Sequence, residues 1–126
     1  MTENEISRIV LNCAIKIHKK LGPGLLESTY ETCLCYELKK QNLKVEKQKA
    51  LSLTYDEIKI ESAYYIDLIV NDKVIIELKA VESIKEVHKA QLYTYLKLSN
   101  CKLGLLLNFN VELLKEGVYR MINSCN

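Results

Sequence analysis

Residues 65–80 form two short apolar strands joined by a tight polar turn, with three charges set inside the strands. The strands are Tyr65–Val70 and Val74–Ala80, and the turn between them is Asn71–Lys73. Side chains alternate between the two faces of a strand, so one face of this hairpin is continuous and apolar and is expected to be core. That face comprises Ile66, Leu68, Val70, Val74, Ile76, Leu78 and Ala80.

The opposite face of the hairpin is expected to carry Asp67, Glu77 and Lys79. Charged groups are costly on a buried sheet unless they are paired or liganded, so these residues suggest a site for a metal ion and a phosphate. A two-residue turn would pair Asp67 with Ile76 and put the carboxylates on opposite faces, whereas a three-residue turn pairs Asp67 with Glu77. We therefore expect the longer turn, or a bulge, at residues 71–73.

Composition is typical of a globular protein and leaves its partners open. With 126 residues and 48% hydrophobic content, the chain fits one domain over residues 1–126. A net charge of +2 neither requires nor excludes nucleic acid. No apolar run reaches the ~18 residues of a membrane span, and the acidic start does not resemble a signal peptide, which favours a cytoplasmic protein without a membrane partner.

The five cysteines, without a Cys-x-x-Cys pair, predict reduced thiols and neither a disulfide nor a zinc site.

Helical and strand-like periodicities follow one another along the chain. The order is helix, helix, three strands, helix, strand, strand, which predicts a mixed α/β fold with helices around one sheet. The helices are expected over about 6–21, 25–41 and 85–98, and the strands over about 43–55, 58–70, 74–80, 102–109 and 117–122.

Three further motifs extend the charged hairpin pattern. They are Gly-x-x-Glu-x-x-Tyr over residues 24–30, Gln-x-x-x-Tyr over residues 91–95, and an apolar strand ending in Asn-Phe at residues 104–109. Together with Asp-x9-Glu-x-Lys at residues 67–79, they resemble the GxxExxY protein family within the PD-(D/E)XK nuclease-like superfamily. The resemblance runs from about residue 18 to 122 and implies a restriction-endonuclease-like fold, a mixed central sheet flanked by helices.

The resemblance also implies a candidate active site. Its catalytic triplet is matched by Asp67, Glu77 and Lys79, although Ile66 stands where the superfamily often has proline. The acidic residue that many members carry on a leading helix is matched by Glu27. The pair that exonuclease-like members carry on the helix after the Lys strand is matched by Gln91 and Tyr95.

A divalent cation, Mg²⁺ or Mn²⁺, is implied as cofactor, with ligands from Asp67, Glu77 and the carbonyl of Leu78. The implied function is hydrolysis of phosphodiester bonds in DNA or RNA, by the chain alone, as a homodimer or with a partner protein. The alternative is a nuclease-fold binding or scaffold module that does not cleave and acts with partner proteins. The intact triplet favours the enzyme.

Several of these side chains also have a purely structural interpretation. Lys79 could neutralise Glu77 or orient an attacking water, and Glu27 could complement the helix dipole or contact the metal. Tyr30 is expected to pack rather than react, His18 to be a capping or packing group rather than a catalyst, and Glu31 to be a solvated helix charge.

Overall fold

A computed structural model describes residues 1–124, and the order of its elements confirms the order predicted from periodicity. The sheet has five strands in the order β1-β2-β3-β4-β5. The bounds are α1 Glu3–Leu21, α2 Glu27–Lys40, β1 Val45–Tyr55, β2 Ile58–Val70, β3 Val74–Lys79, α3 Glu86–Ser99, β4 Leu103–Asn108, a 3₁₀ helix Leu114–Gly117, and β5 Val118–Ile122.

The sheet is mixed because one of its strand pairs is parallel. β3 and β4 run parallel, and α3 is the crossover helix between them. The other neighbouring pairs are antiparallel. This arrangement confirms the predicted fold class, a mixed α/β sheet flanked by helices.

Both faces of the sheet are covered. One face packs against α1 and α2 around a cluster that includes Tyr30, Leu34, Leu68 and Phe109. The other packs against α3 around a smaller cluster that includes Leu92 and other apolar side chains of the sheet and helix. The charged face of the predicted hairpin is therefore also a core face, since the second cluster contains Ile69, Ile75, Leu96 and Leu106.

Ile66 does not share the face predicted for it. It is fully buried, but it lies in the α3-side cluster, whereas Leu68 lies in the cluster under α1 and α2. The β2–β3 backbone ladder ends at the pair Leu68–Ile76, and the Asp67 N–H bonds to a side chain instead. Strict alternation is interrupted at that residue, so the sequence pattern gives the wrong face for its neighbour.

The turn between β2 and β3 is the longer one, as predicted. Val70 pairs with Val74, which leaves Asn71, Asp72 and Lys73 in the turn. Asn71 and Asp72 have φ of 51° and 56°, a conformation that short polar side chains tolerate best. The resulting register brings positions 67 and 77 opposite each other.

The first two strands extend beyond the rest of the sheet as a two-stranded ribbon. β2 pairs with β3 only over residues 68–70, whereas it pairs with β1 from Ile58 to Val70. The register shifts between Leu51 and Leu53, close to Ser62, which has a φ of 51°. Residues 58–66 therefore have a strand neighbour on one side only within the described chain.

No helix among residues 1–124 combines the length and apolar character needed to cross a bilayer. The cysteines at positions 13, 33, 35 and 101 are free thiols. The remaining one, Cys125, lies outside the described residues.

Candidate active site

Asp67 and Glu77 meet where the backbone ladder between β2 and β3 ends. The Asp67 N–H donates to Glu77 Oε2 at 2.8 Å, and the Leu78 N–H donates to Asp67 Oδ2 at 2.9 Å. Each carboxylate thus accepts a backbone N–H of the other strand in place of a ladder bond. The prediction that Asp67 and Glu77 come together across the hairpin is confirmed.

Burial makes this carboxylate pair electrostatically unfavourable when both groups are charged. Glu77 is only 4% exposed, and burial, followed by the charge of Asp67, raises the pKa of Glu77 to about 8. Burial also raises the pKa of Asp67, against the opposing effects of the Leu78 N–H, the Gln48 amide and the Lys79 charge. Both shifts mean that the charged forms of Asp67 and Glu77 are disfavoured unless a cation compensates them.

Lys79 supplies positive charge without a close ion pair. Its backbone is fixed in β3, where its carbonyl accepts the N–H of Phe109 at 2.9 Å. The residue is half-buried, and its ammonium forms no ion pair with the carboxylates of residues 1–124, but its charge lowers the pKa of both Asp67 and Glu77. The interpretation of Lys79 as a contact counter-ion of Glu77 is therefore not supported.

The 24–30 motif places Glu27 at the edge of the site. Gly24 has a φ of 99°, which favours glycine, and Tyr30 is fully buried and stacks on Phe109 at 4.3 Å between ring centroids. The Tyr30 hydroxyl donates to the Gly22 carbonyl at 2.5 Å, which holds the loop before α2. Glu27 Oε2 then accepts the N–H of residue 80 at 3.0 Å, just after β3, and its charge raises the pKa of Asp67. The expectation that Tyr30 packs is confirmed.

The loop after Lys79 is held by a buried amide at the end of β4. Asn108, 2% exposed, donates through Nδ2 to the Val81 carbonyl at 2.9 Å and accepts the Val81 N–H at 3.1 Å. His18 likewise has a structural role. It is buried, and its Nε2 lies within hydrogen-bond distance of two carbonyls, 3.1 Å from that of Phe109 and 2.9 Å from that of residue 111. These contacts hold in place the segments that follow β3 and β4, next to the carboxylates.

Tyr95 reaches the site, and Gln91 does not contact it. Tyr95 is 4% exposed and lies against Tyr64, with 5.6 Å between ring centroids. Burial, followed by the charges of Glu77 and Asp67, raises the pKa of Tyr95 to about 12, so its hydroxyl stays protonated at neutral pH. Gln91 is exposed and makes no side-chain hydrogen bond within the described part of the chain.

Two further side chains belong to the site that the sequence did not indicate. Gln48 Nε2 donates to Glu31 Oε2 at 3.0 Å and to Asp67 Oδ1 at 3.2 Å. The Glu31 side chain is only 12% exposed, and burial, followed by the charge of Asp67, raises its pKa. The expectation that Glu31 is a solvated charge is wrong, because α2 packs its first turns against β1. The sequence signal for Glu31 was its i, i+4 spacing from Glu27, which places both side chains on one face of α2. No sequence signal pointed to Gln48.

The donor set suits a hard divalent cation by type and by number. Mg²⁺ commonly takes one or two protein carboxylates and completes its coordination with water. Asp67 and Glu77 supply two desolvated carboxylates, and a cation would relieve their mutual repulsion. Within residues 1–124, no three His, Cys, Asp or Glu side chains are grouped to hold a metal by themselves.

A family model described as the PD-(D/E)XK nuclease superfamily matches residues 4–121. The chain belongs to the PD-(D/E)XK nuclease superfamily. Nucleases of this superfamily generally use divalent metals. No curated protein and no solved structure shows significant similarity to the chain. For this PD-(D/E)XK protein, the assignment of particular residues to chemistry therefore depends on the geometry described above.

Proposed function

We propose that this protein, acting as one domain over residues 1–126, is a metal-dependent nuclease that hydrolyses phosphodiester bonds in DNA or RNA. The observation that carries the proposal is the meeting of two desolvated carboxylates, Asp67 and Glu77, beside the ammonium of Lys79. The motif at residues 24–30, with each of its three named positions engaged in placing α2, further supports the GxxExxY group.

Asp67 and Glu77 would hold Mg²⁺ or Mn²⁺, and the Leu78 carbonyl is the third candidate ligand. In an antiparallel sheet, the N–H and C=O of one residue face the same neighbouring strand. Since the Leu78 N–H points to Asp67, its carbonyl faces the same side, where the β2–β3 ladder has ended. When bound, such a cation supplies Lewis-acid stabilisation of charge on a phosphoryl group and makes water more acidic.

The remaining groups act on water and on the substrate. Lys79 has only donors, so it does not ligate a cation; it orients water and offsets phosphate charge. Tyr95 stays protonated and serves as a hydrogen-bond donor beside the carboxylates. Glu27, the first residue of α2, would contact the metal or its water, and Gln91, one helical turn from Tyr95, would contact the substrate from α3.

One observation favours the alternative of a non-cleaving nucleic-acid-binding module. The Gln48 amide already bonds Asp67 Oδ1, an oxygen that a cation would use. In the enzyme, the Gln48 amide would have to give up its hydrogen bond to Asp67 Oδ1 when a metal binds. In the module, it stays in place and metal does not bind.

Calorimetric titration with Mg²⁺ and Mn²⁺ tests the proposal. Asp67→Asn removes a proposed ligand and is expected to abolish binding. Asp72→Asn makes the same chemical change at an exposed turn position that pairs only with Lys44 among the described residues, and it should bind like the wild type. Failure of the wild type to bind either metal refutes the metal-dependent enzyme and supports the module.

A further inference from the structure

The end of the β1–β2 ribbon displays an uncovered apolar face. Leu53 lies opposite Ile60, and Tyr55 lies opposite Ile58, so the four side chains share one face. Tyr55, Ile58 and Ile60 are 67%, 61% and 42% exposed. A two-stranded ribbon alone is marginally stable in water, and clustered exposed apolar groups mark interaction surfaces.

The same ribbon has an open backbone edge. Tyr55 and Ile58 flank a two-residue turn, so they form a hydrogen-bonded pair. From Ile58 onward, the N–H and C=O groups of successive β2 residues alternate between pointing toward β1 and pointing away from it. Lys59 and Glu61 therefore direct their N–H and C=O groups away from β1. No strand among residues 1–124 pairs with this edge before Leu68.

The sequence of this edge is complementary to itself. Lys59 and Glu61 lie symmetrically around Ile60, and their side chains share the face opposite the apolar one. If a second copy of the edge is laid antiparallel with Ile60 on the twofold axis, Lys59 of each copy meets Glu61 of the other. The N–H and C=O groups of Lys59 and Glu61 point away from β1, so they can form backbone hydrogen bonds with the second copy. The register that pairs the opposite charges is therefore also the register that forms these hydrogen bonds.

We propose that two copies of this chain associate through the β2 edge centred on Ile60, forming a four-stranded sheet across a twofold axis. Ile60 meets its symmetry mate as a non-hydrogen-bonded pair, where side chains approach most closely. Each Ile60 side chain packs against its symmetry mate, so the pairing covers the centre of the apolar face and leaves Tyr55 and Ile58 on either side of it. The irregularity at Ser62 ends the pairing before it reaches the site at Asp67.

The net charge of the ribbon end argues against nucleic acid as its partner. Asp56, Glu57 and Glu61 outnumber Lys59, so the tip is acidic and repels phosphate. Lys59 Nζ and Glu61 Oε1 form an ion pair at 3.4 Å within one copy. Because both side chains are exposed, this pair is weak, and each charge can exchange its partner for the facing charge of a second strand.

Sedimentation analysis of charge-reversal variants tests the pairing. Lys59→Glu and Glu61→Lys each place like charges opposite each other twice, and should raise the dimer dissociation constant about tenfold or more. The double variant Lys59→Glu/Glu61→Lys restores opposite charges and should restore the dimer. Lys115→Glu, a reversal at an exposed residue outside the ribbon, should leave it unchanged.

A cross-link tests the register separately from any loss of folding. Facing positions in a non-hydrogen-bonded pair are ~4.5 Å apart between Cα atoms, within the range of a disulfide. Ile60→Cys should form a covalent dimer on mild oxidation, and neither the wild type nor Thr54→Cys, on the neighbouring strand, should do so. A wild type that stays monomeric at its highest soluble concentration overturns the proposal. So do single charge reversals that dimerise normally, or Ile60→Cys that does not cross-link.

Discussion

Replacing Glu77 by glutamine should remove a pH-dependent loss of stability from the metal-free protein. Glu77 ordinarily titrates at 4.5, and in the folded state its pKa is about 8. As pH rises between these values, the unfolded chain releases this proton and the folded chain keeps it. Stability is therefore lost progressively from about pH 4.5 to 8 and changes little through this group above pH 8.

The magnitude follows from the same two pKa values. Their separation corresponds to about 5 kcal/mol in total, of which about 4 kcal/mol falls between pH 5 and pH 9. That is a large part of the roughly 5–15 kcal/mol by which domains are typically stable. The amide introduced by Glu77→Gln has nearly the shape of the carboxylate and can still accept the Asp67 N–H, so the substitution removes the charge with little change in packing.

Denaturant unfolding at pH 5, 7 and 9 in the presence of a chelator measures this effect. Wild type and Glu77→Gln should have similar free energies of unfolding at pH 5, and the variant should be more stable by several kcal/mol at pH 9. Adding Mg²⁺ at pH 9 should stabilise the wild type only, by about 2.7 kcal/mol at a hundredfold excess over the dissociation constant. Parallel pH curves for the two proteins would refute the claim that Glu77 is a desolvated charge.

Three further substitutions test the roles of other residues. Lys79→Ala should abolish cleavage and leave most metal binding intact, whereas Glu77→Ala should weaken metal binding; equal loss of metal affinity in calorimetry would make Lys79 a structural counter-ion only. Gly104→Ala should destabilise the fold by about 1–3 kcal/mol in urea unfolding, because its new Cβ would lie 2.8 Å from Leu92 of α3; an unchanged midpoint would show that α3 moves freely. Tyr30→Phe should lower the free energy of unfolding by about 1 kcal/mol in the same urea assay, since it loses the hydroxyl that holds the loop before α2. An unchanged free energy of unfolding would show that this hydroxyl does not stabilise the loop.

The order of elements and the pairing of Asp67 with Glu77 could be predicted from sequence because both depend on local information. Periodicity identifies helices and strands, and the length of the turn at residues 71–73 fixes the register of the hairpin. The sequence therefore suffices to predict which residues face each other across this hairpin, including Asp67 and Glu77.

The parts that sequence reasoning missed depend on contacts between distant segments. Gln48 enters the site from β1 at a residue with a φ of 50°, and Glu31 is buried by the packing of α2 on β1. Ile66 changes face because side chains replace the backbone ladder at its neighbour. Helical spacing shows that Gln91 and Tyr95 share a side of α3, but not how far along the helix the sheet extends.

Cleavage of nucleic acid is the decisive assay for a metal-dependent active site at Asp67 and Glu77. Single- and double-stranded DNA and RNA would be incubated with the wild type, Asp67→Asn and Asp72→Asn, each with Mg²⁺, with Mn²⁺ and with chelator. We expect the wild type and Asp72→Asn to cleave at least one substrate when metal is present, and Asp67→Asn to cleave none. Absence of cleavage by the metal-loaded wild type, or equal cleavage by Asp67→Asn, would contradict this expectation.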